Sequence, residues 1–231
     1  MSETESIAIE TSCRAGGIAL GRDETLLRVI HFDASSRHAT QLVGRLKAML
    51  TDAALTPANI AEIYVSAGPG SFTGLRVGIT VARTLAQALP HIRCVAVPTA
   101  QAVAENARSL EWRRLVVMLD VKDGCCHASL FQRQGNEIVP VSAELVDAKD
   151  FLAACPKPIL LSGEGLGFID ATAPGVTQID PALRLPTAEG VWRVGRRLAD
   201  AGRFTPYPHL LPIYSRKPEA LRLWEKRQKA T

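Results

Sequence analysis

The run Gly68-Pro69-Gly70-Ser71-Phe72-Thr73-Gly74-Leu75-Arg76-Val77-Gly78 is where residue types and spacing could most plainly do chemistry. Glycine tolerates positive φ and lets a backbone come close to a ligand. A helix that starts just after such a turn offers unpaired N–H groups, which attract anions. Ser71 and Thr73 can cap that helix or bond a ligand oxygen. These features fit a phosphate site, and they also fit a purely structural turn. Spacing excludes two common versions of the first. Glycines at 68, 70 and 74 sit one residue too far apart for the dinucleotide fingerprint. No Gly-Lys-Ser/Thr follows, so the run is not a P-loop.

Glu10-Thr11-Ser12 is a second constellation, an acid and two hydroxyls behind a short apolar strand. Cys13 lies beside it with no histidine near in sequence, so it reads poorly as a nucleophile. The five histidines are His31, His38, His91, His127 and His209. No two are three or four apart, the spacing that puts two ligands on one helix face. The expectation is therefore no metal site and no cofactor. The five cysteines (Cys13, Cys94, Cys125, Cys126, Cys155) are odd in number and form no C-x-x-C. They read as reduced, buried thiols rather than a disulfide framework.

The elements that must position these groups follow from periodicity. Ser6–Leu20 reads as a hairpin, and Leu26–Phe32 as a third strand. Arg37–Asp52 has Leu42, Leu46, Met49 and Leu50 at helical spacing, with Ser35 or Ser36 as cap. Glu62–Ser66 is a strand leading into the glycine turn. A helix runs from Leu75 to Leu89, followed by a strand at Cys94–Val97 and a helix at Pro98–Ala107. Strands then resume at Leu115–Asp120, Ala128–Arg133 and Glu137–Leu145. A short helix (Asp147–Cys155), a strand (Pro158–Ser162), a turn at Gly163–Gly165 and a helix (Thr187–Gly202) complete the pattern. A strand-rich restart after a βββαβα order predicts two related α/β lobes. The expected division is 1–110, 111–215 and a basic tail at 216–231.

Two surfaces stand out. The helix from Leu75 carries Gly78, Thr80, Ala82, Thr84, Ala86 and Ala88, a slim profile that lets another helix approach closely. Gly78 costs such a helix up to ~1 kcal/mol against alanine, which a close contact would offset. The expected partner face combines Gly78, Ala82, Thr84 and Ala86 with Leu42, Leu46 and Met49. The tail holds six basic and two acidic residues, while the other 215 residues carry 21 of each. The whole net charge of +4 thus resides in that tail, which could meet RNA or an acidic protein. No apolar run approaches the ~20 residues that cross a bilayer. The acidic start at Met1–Ser6 has no signal-peptide pattern. Both point to the cytoplasm.

The run GPGSFTGLRVG resembles the signature of the TsaB/TsaD (YeaZ/Gcp, glycoprotease-like) family. Further pieces fall in the same order: Ala8–Ser12 resembles the family's opening strand and turn. Arg37-His38 resembles its next segment, and Ile63–Gly70 the strand into the signature. Asp120–Gly124 resembles its second-lobe turn, and Pro212–Arg216 its late Pro-x-Tyr-Leu-Arg, with Ser215 in place of Leu. The resemblance implies an α/β fold of two lobes, actin-, Hsp70- and sugar-kinase-like (ASKHA, RNase H-like), with mixed sheets flanked by helices. In that fold an acid of the first hairpin holds Mg²⁺. Glu10 occupies its place, and Glu10, Thr11, Ser12, Gly68, Gly70, Ser71 and Thr73 form the residual nucleotide site to be expected.

The resemblance also divides catalyst from accessory subunit. The TsaD branch carries two histidines four apart on the helix after Pro98, where this chain reads Thr99-Ala-Gln-Ala-Val103. The expected role is that of the TsaB branch: a non-catalytic subunit of tRNA N6-threonylcarbamoyladenosine synthesis that binds and activates TsaD. The TsaE ATPase belongs to the same assembly, and a homodimer is expected without TsaD. tRNA is met indirectly or through the basic tail. The alternative is a nucleotide-binding or metallopeptidase-like enzyme of the same superfamily.

Overall fold

The computed structural model describes residues 3–32, 38–122, 124–168, 172–214 and 228. For 38–39, 120–122 and 167–168 it describes the backbone alone. The cap expected at Ser35 or Ser36, Arg37 and, apart from residue 228, the basic tail from Arg216 lie outside the described residues.

The first sheet has the order β3-β2-β1-β4-β5. Its strands are β1 (Glu5–Glu10), β2 (Gly17–Arg22), β3 (Thr25–His31), β4 (Ile60–Gly68) and β5 (Arg93–Pro98). β1 pairs antiparallel with β2 and parallel with β4. It is therefore central and buried on both faces. That explains why Ile7-Ala8-Ile9 is apolar throughout rather than alternating. Alternation still decides what each face meets. Ile7, Ile9, Ile63 and Val65 pack beneath α1 (His38–Asp52) and α2 (Phe72–Ala88). Ala8 and Tyr64 pack on the other side against α5 (Ala188–Asp200).

The second sheet has the order β10-β9-β6-β7-β8. These strands are β6 (Arg114–Lys122), β7 (Cys125–Gln134), β8 (Glu137–Asp147), β9 (Ile159–Ser162) and β10 (Val176–Gln178). One face meets α3 (Thr99–Glu105) through Ala100, Val103 and Ala104. The other meets α4 (Ala148–Ala154) through Ala148 and Leu152. Both sheets are mixed, as the two-lobed ASKHA architecture requires.

Helix α5 follows the second sheet in sequence but packs on the first. Two glycines permit this. A Cβ on Gly21 would lie 2.2 Å from the Trp192 indole, and one on Gly195 would lie 2.3 Å from the Tyr64 ring. Trp192 is a core residue, and its Nε1 donates to Ser6 Oγ at 2.9 Å. Helices α3 and α5 then join through Arg197, which reaches Glu105 Oε1 at 2.9 Å. Arg108 holds the same carboxylate at 2.7 Å. Burial opposes the charge on Glu105, but the two guanidiniums outweigh it and hold the carboxyl below its usual range.

Candidate functional site

The glycine turn joins β4 to α2, and its glycines are packed against this chain's own backbone. Gly68 has φ +115°, and a Cβ there would lie 2.3 Å from the Ile213 carbonyl oxygen. On Gly70 it would lie 2.5 Å from Ser12 O, and on Gly74 1.9 Å from Thr11 O. The Ser71 amide donates to Ser12 O at 2.6 Å. Ser71 Oγ caps α2 by accepting from the Gly74 amide at 3.3 Å. Thr73 is exposed in the first turn. The helix start that would cradle a phosphate instead cradles the turn after β1.

Glu10 ends β1 with none of its surface exposed. One carboxylate oxygen accepts from the Ser12 amide and from Ser12 Oγ at 2.6 Å. The other accepts from Ser66 Oγ at 2.5 Å. Burial pushes the Glu10 carboxyl above its usual range, these donors pull it back in part, and the charge of Glu164 adds a further push. Glu164 opens the short 3₁₀ turn Glu164–Phe168 of the second lobe. The charge of an acid from the second sheet's half thus acts on the acid of the first hairpin. Cys13 is buried, and burial, then the Glu10 charge, raise its thiol far from thiolate character. Thr11 Oγ1 is buried without a hydrogen-bond partner and lies against Gly78, where a Cβ would come within 2.4 Å of it.

The expected site residues Glu10, Thr11, Ser12, Gly68, Gly70, Ser71 and Thr73 are therefore gathered in one place. Most of their polar atoms are spent on each other. Among the described residues, no three His, Cys, Asp or Glu side chains converge as metal ligands.

The expected partner face is placed differently from its reading in sequence. Leu42, Leu46, Met49, Gly78, Ala82 and Ala86 are all buried inside this chain. The slim side of α2 is turned to its own sheet, where Gly78 admits Thr11, Ile9 and Val65. This corrects the expected contact: the small residues serve internal packing, and Thr84 alone of the seven is exposed. The solvent side of α2 carries Arg76, Thr80, Thr84 and Gln87. Among the described residues of α1 the exposed large apolar side chain is Val43, at 60%. It borders an apolar groove of about 400 Å³ between α1 and the end of α2, with Leu46, Leu55, Leu85 and Ile92 in its walls.

One constellation was not foreseen. Phe72 and Tyr214, 142 residues apart in sequence, stack with ring centroids 5.0 Å apart. The Arg76 guanidinium lies 3.9 Å from the Phe72 centroid, and its Nε donates to Tyr214 Oη at 3.1 Å. The Ile213 amide bonds Ala67 O at 2.6 Å, which seats this late segment on the glycine turn. Two motifs recognised separately in sequence are one structural unit. The available signal was that both were motif residues; nothing local said they would meet.

A buried acid at the end of β1, a glycine turn heading α2 and two mixed sheets define a two-lobed protein of the ASKHA class. A family model described as "TsaD: tRNA N6-adenosine threonylcarbamoyltransferase" matches residues 29–205. The chain belongs to this glycoprotease-like family, and within it to the TsaB (YeaZ) branch. The Bacillus subtilis protein named tRNA threonylcarbamoyladenosine biosynthesis protein TsaB is 27% identical over 218 residues, covering 93% of this chain and 88% of that protein. The Escherichia coli K12 protein of the same name is 27% identical, covering 95% and 96%. YeaZ from Pseudomonas aeruginosa has the same fold, with TM-score 0.80 at 22% identity over 91% of this chain and 99% of that one. No described helix is long and apolar enough to cross a membrane.

Proposed function

We propose that this chain is a non-catalytic subunit of tRNA N6-threonylcarbamoyladenosine synthesis, and that it binds a TsaD-type catalytic protein and makes it competent. The observation that carries this reading is the closure of the residual site on itself. A carboxylate that positions Mg²⁺ must present an oxygen to it. Glu10 has no exposed surface, and each of its oxygens already accepts from a neighbour, one from Ser12 and the other from Ser66. The turn that would grip phosphate is filled by the carbonyls of Thr11 and Ser12. These groups hold the first lobe together, and the chain contributes surface rather than chemistry.

The contact with the catalytic protein falls on the exposed side of α1 and its groove. Val43 and the neighbouring apolar walls offer a ridge-and-groove surface to a helix of the partner. A homodimer through the same face is the form taken without that partner. The test is Val43→Glu with co-purification of the TsaD-type protein. An exposed substitution changes stability by less than about 0.5 kcal/mol, so the expected result is an unchanged melting temperature with loss of capture. Undiminished capture would remove α1 from the interface.

A further inference from the structure

A polar cavity of about 170 Å³ lies on the α5 side of the first sheet, where β1 and β4 begin and α5 ends. It is on the opposite face from α1 and so is separate from the proposed partner surface. Ser6, Glu62 and Tyr64 line it from the sheet, and all three are more than nine-tenths buried. Arg93 of β5 and Arg196 of α5 supply its cations. Thr4, Asp23, Ala199 and Asp200 complete the lining, in which Ala199 is the one aliphatic residue among those described. A lining this polar holds water or a polar ligand rather than an apolar one.

The spare hydrogen-bonding capacity is sorted by position. Tyr64 Oη donates to Glu62, and Ser6 Oγ donates to Gly21 O at 3.3 Å while accepting from Trp192. Burial and then the Glu62 carboxylate push the Tyr64 phenol far above its usual range, so it keeps this proton. The two buried hydroxyls therefore have only lone pairs left to offer. The guanidiniums have only donors. Arg93 stacks on the Phe204 ring at 4.0 Å and gives an N–H to Glu62. Arg196 gives its Nε–H to Asp200 at 3.2 Å. A guanidinium has about five N–H donors, so most remain unspent on each among the described residues.

We propose that this cavity binds a small zwitterion of the α-amino-acid class, its carboxylate on Arg93 and Arg196 and its ammonium towards Glu62 and the Tyr64 and Ser6 oxygens. Charge decides the class. The lining holds three carboxylates (Asp23, Glu62, Asp200) and two guanidiniums. A lone anion would meet three like charges and a lone cation two, which is costly where water is scarce. A zwitterion sets each end beside its opposite. A planar carboxylate also matches the fork of a guanidinium, and Arg93 is fixed in advance by Phe204 and Glu62. Volume sets the size: at ~30 Å³ per water the space equals about six waters, which suits glycine or serine. This binding is independent of the proposed role in tRNA modification.

The experiment titrates the full, isotopically labelled chain with glycine and L-serine while the arginine Nε–H signals are followed by NMR. A saturable shift of two arginine signals is expected, assigned to Arg93 and Arg196 by their disappearance in Arg93→Lys and Arg196→Gln. N-acetylglycine lacks the ammonium and glycine methyl ester lacks the carboxylate. Each is expected to bind at least about ten-fold more weakly than glycine, as loss of one charge-assisted contact requires. Arg196→Gln is expected to weaken glycine by a similar factor. Its melting temperature should stay near the parent's, because Arg196 makes only surface ion pairs. The absence of a saturable shift with either amino acid overturns the inference. Equal binding of N-acetylglycine does so too, by making the cavity a simple anion site, and equal binding of the ester by making it a cation site. Undiminished glycine binding in Arg196→Gln also overturns it. Each of these results leaves the Val43→Glu test, and with it the proposed function, untouched.

Discussion

At the residue scale, Glu10 is a fully buried acid held by this chain's own donors. Its folded pKa lies above the ordinary value of 4.5 because burial disfavours the charge more than Ser12 and Ser66 favour it. An acid with a raised folded pKa binds its proton more tightly in the native state. Its contribution to stability is fully present below pH 4.5 and is lost as pH rises through the folded value. At neutral pH the charge is a burden. Glu10→Gln, which keeps an acceptor for the Ser12 amide and a group for Ser66, is expected to raise the melting temperature at pH 7 to 8 and to shrink the fall in stability above pH 4.5. Thermal melts of both proteins at pH 5 and pH 8 read this directly. The same variant is expected to leave the modification activity of the assembled complex unchanged; loss of activity without loss of fold would give Glu10 a chemical role.

Gly74 makes the opposite point about the signature. A Gly→Ala change inside a helix ordinarily stabilises by up to ~1 kcal/mol. Here the new methyl would meet the Thr11 carbonyl, which is fixed at the end of a central strand, at 1.9 Å. Gly74→Ala is expected to destabilise by about 3 kcal/mol, at or above the upper end for overpacked sites. A denaturation midpoint equal to the parent's would show that the turn has room for a ligand. The glycine spacing in the sequence announced a turn with close approach. It could not say whether the approaching group was a phosphate or the chain's own backbone, because both demand the same absent Cβ.

At the scale of elements, the periodic helices were legible and their orientation was not. The spacing of Leu42, Leu46, Met49 and Leu50 marks α1, and all four are buried as an inward stripe should be. In sequence the small residues of α2 resemble a face for a partner, because slimness looks alike whichever neighbour exploits it. The sheet exploits it here, through Ile9 and Val65 on Gly78. Helix α5 was recognised from Val191, Val194 and Leu198, but its return to the first sheet depends on Gly21 and Tyr64, far away in sequence. The α3–α5 contact adds an electrostatic tie. Glu105 is depressed, so its contribution exists above pH 4.5 and disappears as pH falls through the folded value. Glu105→Gln is expected to lose about 2 kcal/mol at pH 7, tempered by the partial exposure of Arg108 and Arg197. The difference from the parent should narrow as the solution is acidified below pH 4.5. A constant difference at every pH would mean that packing, not charge, is what Glu105 supplies.

At the scale of the whole molecule, two mixed five-stranded sheets flanked by helices carry a buried acid and a glycine turn packed on this chain's own backbone. The order of strands, the mixed sheets and the family were readable because the signature and its companions fall in sequence along nearly the whole chain. The union of Phe72, Arg76 and Tyr214 was not, since a contact across 142 residues leaves no local trace. The closed Glu10 site and the exposed side of α1 are the observations on which the proposed role as an accessory subunit rests. The most direct test is reconstitution of N6-threonylcarbamoyladenosine on a tRNA transcript from purified components. The catalytic TsaD-type protein with TsaE and threonylcarbamoyl-adenylate should modify the transcript only when this chain is added, and this chain by itself should modify none. Modification by this chain in isolation, or equal modification without it, would contradict the account.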